Sequence, residues 1–317
     1  MGKTKFFFVT DVHGSDICFR KFLNASKFYK ANVLILGGDI TGKSMVPIVD
    51  TSTGFFECTY AGENFVLKSR EQAEVLIKEI RNGGAYTQIV NQKEYEELTS
   101  NPDKVQELFK RLMIEGVRKW IQLAEEKLKG TGTLCFISPG NDDIFEIDEV
   151  LNSSSFVVNP EEKVVDIGGG QEMITLGFAN RTPWHSPREA GEEVLQSKIE
   201  RMASELNHPE TSIFNLHVPP IDTPIDQAPK VDSDLKPVVN AGHLVMTSAG
   251  SIATRNAILK YQPLAGLHGH IHEAKGVVRL GKTVCLNPGS EYGEGVLRGV
   301  LGQVEDGKLR SYLLTSG

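Results

Sequence analysis

Asp11 and His13 follow the run F-F-F-V-T at positions 6–10, and that juxtaposition is the first piece of chemistry in the chain. Four apolar residues reading as a buried strand, then an abrupt change to Thr10, Asp11 and His13, place a carboxylate and an imidazole at a strand end. Alternation along an extended backbone is expected to turn both to one side, as two arms of a metal site. The pattern recurs down the chain. A strand over 32–36 runs into Gly37-Gly38-Asp39, one over 133–138 into Pro139-Gly140-Asn141-Asp142-Asp143, and one over 212–216 into His217. A strand over 264–267 leads into His268-Gly269-His270-Ile271-His272. A lone histidine after a strand is ordinarily a hydrogen-bonded core or surface residue. Five apolar strands ending in succession on metal-competent residues are a different matter, because strand ends of a layered α/β fold converge on one edge.

The ordered set D-V-H at 11–13, G-G-D at 37–39, G-N-D at 140–142, N-L-H at 215–217 and G-H-I-H at 269–272 resembles the calcineurin-like metallophosphoesterase superfamily. The resemblance covers nearly the whole chain outside one insertion. It implies an α/β (α+β) fold class, a four-layer sandwich of two mixed β-sheets flanked by helices, with a dinuclear metal centre at the strand ends. It implies further that Asp11, His13 and His272 hold one metal, that Asn141, His217 and His270 hold the other, and that Asp39 bridges them. The implied activity is metal-dependent hydrolysis of phosphate esters, a metal-bridging hydroxide attacking phosphorus. N-P-G-S at 287–290 also resembles a motif of this family and reads as a structural turn. One position departs: where many members carry a histidine after the asparagine, this chain has Asp142. That leaves the role of Asp142 open and moves the expectation away from ordinary phosphomonoesters, toward phosphodiesters or activated monoesters. The alternative is a non-catalytic metal-binding scaffold of the same fold, which would be expected to have lost ligands; all seven are present.

The donor types fit that reading on their own terms. Imidazole, carboxylate and amide together suit Mn, Fe, Zn, Ni or Co better than Mg or Ca, which prefer all-oxygen surroundings. With two anionic ligands, Asp11 and Asp39, a pair of divalent cations leaves a surplus of about two positive charges, for which phosphate oxygens are natural partners. His268 shares the alternation of His270 and His272 but would crowd them as a further ligand, so it is placed behind the ligands or in the core. Arg181 and His185, in N-R-T-P-W-H-S, and the proline-rich stretch 219–237 either flank a small phosphate-ester substrate or form plain surface loops. G-G-D-I-T-G-K-S at 37–44 matches a nucleotide-binding phosphate loop. Its context argues against that, since the residues after it lack a helical period and Asp39 would put a carboxylate in an anion cradle.

The elements that must carry these residues alternate strand and helix, with helices expected over 15–30, 187–206 and 251–261 and a closing hairpin over 295–314 that turns at Asp306-Gly307. The pattern lapses over 43–132, where helices over 67–81 and 105–128 suggest a mostly helical insertion, too poor in strands for a further sheet, that shapes access to the site of a single domain spanning 1–317. A net charge of −7 argues against a nucleic-acid-neutralising surface. Four cysteines without C-x-x-C spacing read as reduced core residues, and no apolar run reaches membrane-spanning length, so a cytoplasmic location is expected.

Overall fold

In the computed structural model, which describes residues 2–317, the aromatic run forms the heart of the strand Lys3–Val9. Phe6 and Phe8 face one buried cluster and Phe7 and Val9 another, so both faces of the strand are covered and every position has to be apolar. This strand pairs in parallel with Val33–Gly37, which pairs in parallel with Leu134–Ser138. On its other side lies the antiparallel hairpin Arg298–Glu305 and Lys308–Ser316, turning at Asp306 (φ 53°) and Gly307 (φ 65°) as expected. A second, six-stranded mixed sheet has the parallel strands Glu172–Leu176, Ile213–Leu216, Ala265–Leu267 and Thr283–Asn287 at its centre.

The two sheets face each other across Phe6, Phe8, Ile35, Phe136, Ile213, Leu267 and Leu286. The helices Asp16–Phe28, Pro102–Leu128 and Glu146–Asn152 cover the outer face of the first sheet through a core containing Phe19, Phe22 and Trp120. Glu192–Glu205 and Ile252–Tyr261 cover the second through Leu195, Ile199, Ala257 and Ile258. The fold is therefore a four-layer α/β sandwich of two mixed sheets flanked by helices. Side chains start the helices where local chemistry dictates: Ser15 and Ser251 accept N–H bonds at helix starts, and Asn101 caps a helix that opens on Pro102.

Several expectations need correction. The segment 43–132 does hold three helices, but it also builds a four-stranded sheet from Met45–Asp50, Phe56–Tyr60, Glu63–Leu67 and Tyr86–Asn91. Its core of Ile48, Phe56, Leu76 and Ile80 is its own, and its strands are half-exposed, so their sequences lack the continuous apolar runs that mark the central sheets. The helix expected from 187 begins at Glu192, because Glu189–Ala190 pairs in parallel with Ala179–Asn180 instead. All four cysteines are buried and unpaired, and no helix among the described residues is long and apolar enough to cross a membrane.

Glu161 is a fully buried acid in this frame. Its carboxyl group accepts the Gly177 N–H at 2.8 and 3.0 Å, yet burial pushes its pKa up from 4.5 to about 8, against the pull of that N–H and of Arg188. The folded state thus holds a proton that the unfolded chain gives up near pH 4.5, so this group stabilises least at high pH. Relative to Glu161→Gln, the wild type is expected to lose stability as pH rises through the window from about 4.5 to about 8, with a slope approaching ~1.4 kcal/mol per pH unit. Denaturant unfolding of both proteins from about pH 5 to about pH 9 checks this, and parallel curves would refute it.

Candidate metal centre

Strand ends alone do not deliver the site; the turns after them do. Asp11 and His13 lie beyond the strand, at φ 53° and 37°, so strand alternation does not orient them as expected. Asp39 (φ 49°) and His270 (φ 66°) share this left-handed backbone, sparsely populated by residues with side chains. Main-chain bonds hold the first two turns together: Asp11, His13 and Gly14 donate to Gly38, Asp39 and Ile40 at 3.0, 3.0 and 2.9 Å. The Asp11 carboxylate then accepts the His270 N–H at 3.1 and 3.0 Å, and the Asp39 carboxylate accepts the Asp142 N–H at 3.0 Å. Only glycine permits these approaches, since a Cβ on Gly140 would lie 2.2 Å from Asp39 N and one on Gly269 2.3 Å from Asp11 Oδ2.

The turns bring all seven expected ligand residues together. Asp11, His13 and His272 form one group, and Asp39, His217 and His270 another, the donor atoms of each lying within 4.8 Å of one another. Asn141 joins the second group, its Oδ1 2.7 Å from His270 Nδ1 and 3.1 Å from His217 Nε2. Asp39 Oδ2 reaches both groups, 3.6 Å from His13 Nε2 and 3.5 Å from His217 Nε2. These residues fit divalent metals by the chemistry of their donors. His13 and His272 turn Nε2 atoms toward each other at 3.1 Å, where one proton at most has room, and His13 Nδ1 is buried with no partner. His217 gives its Nδ1 proton to the Gly37 carbonyl at 3.3 Å, which turns its Nε2 toward the cluster.

Electrostatics point the same way. Burial opposes charge on Asp11 and Asp39, but their neighbours together outweigh it, His217 and His272 at Asp11 and His217, His13 and Lys43 at Asp39, and hold both carboxyls below the usual range. Burial likewise opposes a proton on His217, and Asp39 and Asp11 override it, pushing that imidazole up to about 9. His13 and His270 are held down at about 4 by burial. Two buried carboxylates thus draw a cation into the cluster even before a metal is considered.

His268 belongs elsewhere. It is buried, donates from Nδ1 to the Leu216 carbonyl at 2.7 Å, and turns Nε2 toward Gly266, away from either donor group. Burial holds it neutral, down at about 4, so it is a packing residue that braces the strand end before His217.

Sequence reasoning missed the residues that lock these turns. Asp143 accepts from Ile40 N, Thr41 N, Thr41 Oγ1 and Gly140 N at 2.5–3.0 Å, binding the turn of Asp39 to that of Asn141. Arg188, 1% exposed, donates to the carbonyls of Asp143 and Ile144 and to Asp148 at 2.8–3.0 Å. Asp143 was visible in the G-N-D-D run; nothing near Arg188 distinguished it from a surface arginine. Tyr292 packs on His13 with ring centroids 4.7 Å apart. The inserted segment also touches the centre directly: Gly84 passes so close that a Cβ there would sit 2.4 Å from the His13 carbonyl oxygen.

A cavity of about 730 Å³ opens over the cluster. Asp39, Asn141, His270 and His272 line it together with Lys43, Asp142 and Arg181. The proline-rich stretch contributes Pro229, Val231 and Leu235, and the loop before Ser186 contributes Trp184. His185, read from the sequence as a candidate phosphate contact, is exposed, has a left-handed backbone (φ 54°) and lies outside this lining, although Trp184 and Ser186 on either side belong to it.

Asp39 reaches both donor groups and His268 neither, so we expect Asp39→Asn to lower metal content and His268→Ala to leave it near the wild-type value. Metal analysis after reconstitution with Mn or Zn should give two ions per chain in the wild type and fewer in the Asp39 variant. Equal losses in both variants would bring His268 into the ligand set.

No family model matches the chain. An uncharacterized protein of Methanocaldococcus jannaschii is 29% identical over 153 residues, 47% of this chain, and the match spans 61% of that relative's length. One solved structure superposes with a TM-score of 0.57 at 17% identity, covering 99% of this chain and 98% of its own. TT1561 of Thermus thermophilus superposes with a TM-score of 0.53 at 13% identity, again over 99% and 98%. At such identities the likeness is one of fold, and it extends over essentially the whole chain.

Proposed function

We propose that this chain is a dinuclear metallophosphoesterase of the calcineurin-like superfamily, acting on phosphodiesters or activated phosphomonoesters. The observation that carries the reading is the convergence of seven ligand-competent side chains, from five separate strand ends, on one cluster, four of whose members line the cavity. Asp11, His13 and His272 would hold one transition-metal ion, Asn141, His217 and His270 a second, with Asp39 between them. Two such ions supply Lewis acidity and an activated water for displacement at phosphorus. The protein's part is to hold the donors fixed, through the Asp143 and Arg188 bonds, and to bind the ester.

Size and lining bear on the substrate. The cavity has room well beyond a phosphate group, and its apolar lining, which includes Trp184, Pro229, Val231 and Leu235, suits an organic substituent on the ester. The insertion, which backs His13 through Gly84, would shape access to this cavity within a single domain spanning 1–317.

Asp142 is poorly placed to donate a proton. Its Oδ2 lies 2.6 Å from Lys43 Nζ, and its Oδ1 accepts from Ser186 Oγ at 2.6 Å and Asn141 Nδ2 at 2.9 Å. All three contacts ask it to accept, so departure of the alcohol depends on the alcohol's own basicity.

With the metal-loaded protein, a panel of mono-, di-, pyro- and cyclic phosphates should therefore reveal hydrolysis of diesters and aryl esters first. Within an aryl series, log(kcat/KM) should fall steeply as leaving-group pKa rises. A flat series would mean that a side chain protonates the leaving group, and no turnover of any ester at two metals per chain would overturn the reading itself.

A further inference from the structure

Four carboxylates line the cavity, Asp39, Asp142, Glu192 and Glu273, yet the proposed substrate is an anion. Among the lining residues only Lys43 and Arg181 carry a full positive charge on a lysine or arginine side chain. Arg181 is exposed, in the loop that also carries Trp184. Lys43 stands by the metal floor: its Nζ is 2.6 Å from Asp142 Oδ2, and Asp142 donates its own N–H to the Asp39 carboxylate at 3.0 Å. An ammonium has three donors, of which Asp142 Oδ2 occupies one, and the Lys43 side chain remains 47% exposed.

The backbone beneath it is fixed from both sides. Thr41 is bound through its N–H and its hydroxyl to Asp143, at 2.8 and 2.5 Å. Gly42 donates to the Tyr86 hydroxyl at 3.1 Å and lies against the Gly84 carbonyl, where a Cβ would approach within 2.1 Å. Lys43 thus leaves a rigid base, and its charged end is tethered one residue from Asn141. A lysine needed only to neutralise Asp142 would not require an anchorage built from the same contacts that fix Asp39.

We propose that Lys43 is the substrate-binding cation of this centre, its ammonium held by Asp142 to take a phosphoryl oxygen of the ester. This rests on the phosphoesterase reading and assigns a residue that reading did not contain. Lysine suits the task as a point charge on a flexible stem, able to keep Asp142 while donating to phosphate.

The test uses the metal-loaded full chain with inorganic phosphate as probe, alongside turnover of an aryl phosphodiester. Lys43→Met should keep two metals per chain, bind phosphate roughly 10- to 100-fold more weakly and lose kcat/KM by a similar factor, the range expected for one charge-assisted hydrogen bond. Lys43→Arg should recover much of both. Removing Lys43 alone leaves Asp142 unpaired, so the double variant Lys43→Met with Asp142→Asn is measured as well, and it should show the same weakened phosphate binding at full metal content. Wild-type phosphate affinity in the double variant would overturn the assignment, because a purely structural ion pair would leave binding untouched. If the metal-loaded wild type neither binds phosphate nor turns over the diester, the phosphoesterase reading falls first and this inference with it.

Discussion

Two carboxylates, Asp11 and Asp39, are buried to 1% and 2% exposure with no lysine or arginine bonded to either. An unpaired ionised carboxylate inside a protein is among the most expensive things a fold can contain. The rest of the centre answers that cost. Against their own burial, the carboxylates raise the proton affinity of His217 and His272, and backbone N–H groups from Asp142 and His270 are turned onto them. Thr10 adds its hydroxyl to Asp11 at 2.8 Å. A pair of divalent cations would meet the same demand more completely, and so one constraint, negative charge in a dry place, accounts for both the imidazoles and the metals proposed for them.

Holding that charge requires backbone that folding does not favour. Four of the seven ligand residues adopt positive φ, and each such residue costs on the order of 1 kcal/mol unless its surroundings impose it. The surroundings here are Asp143 and Arg188. Asp143 is itself buried, and burial together with the nearby Asp39 charge raises its pKa to about 6, against the bonds from Thr41, Gly140 and Ile40. It commits all of its acceptor capacity to the turns of Asp39 and Asn141, and Arg188 closes the far side of the same loop. Strain at the ligands is thus balanced by bonds made a few residues away, outside the ligand series.

Much of this was legible in the chain because two periodicities and a set of strand-end residues agreed. Phe6–Val9 had to be buried on both faces, and it is. The seven ligand residues were named from residue type and position, and they lie together. What escaped was of two kinds. The four-stranded sheet of the insertion has half-exposed, amphipathic strands whose pattern competes with that of its helices, and periodicity does not separate them. The supporting contacts of Arg188, Lys43 and Gly84 depend on segments brought together only by tertiary folding. His185 lies outside the cavity for a related reason: the sequence of a loop says little of which way its turns point a side chain.

The stretch G-G-D-I-T-G-K-S illustrates how a motif acquires its residues without the function it suggests. Gly38 (φ +130°) leaves room for the His217 ring, whose Nδ1 would stand 2.5 Å from a Cβ. Asp39 serves both ligand groups, Thr41 binds Asp143, and Gly42 admits the carbonyl of Gly84. Lys43 enters the cavity, and Met45 begins a strand, not the helix whose N-terminus a nucleotide-binding loop would need. Each residue type therefore has its own reason, supplied by a different neighbour, and the resemblance to a phosphate loop is the sum of those reasons. The glycines, the carboxylate and the lysine are set by what lies opposite them, which is why the direction of the following element decides between the two readings where the pattern alone does not.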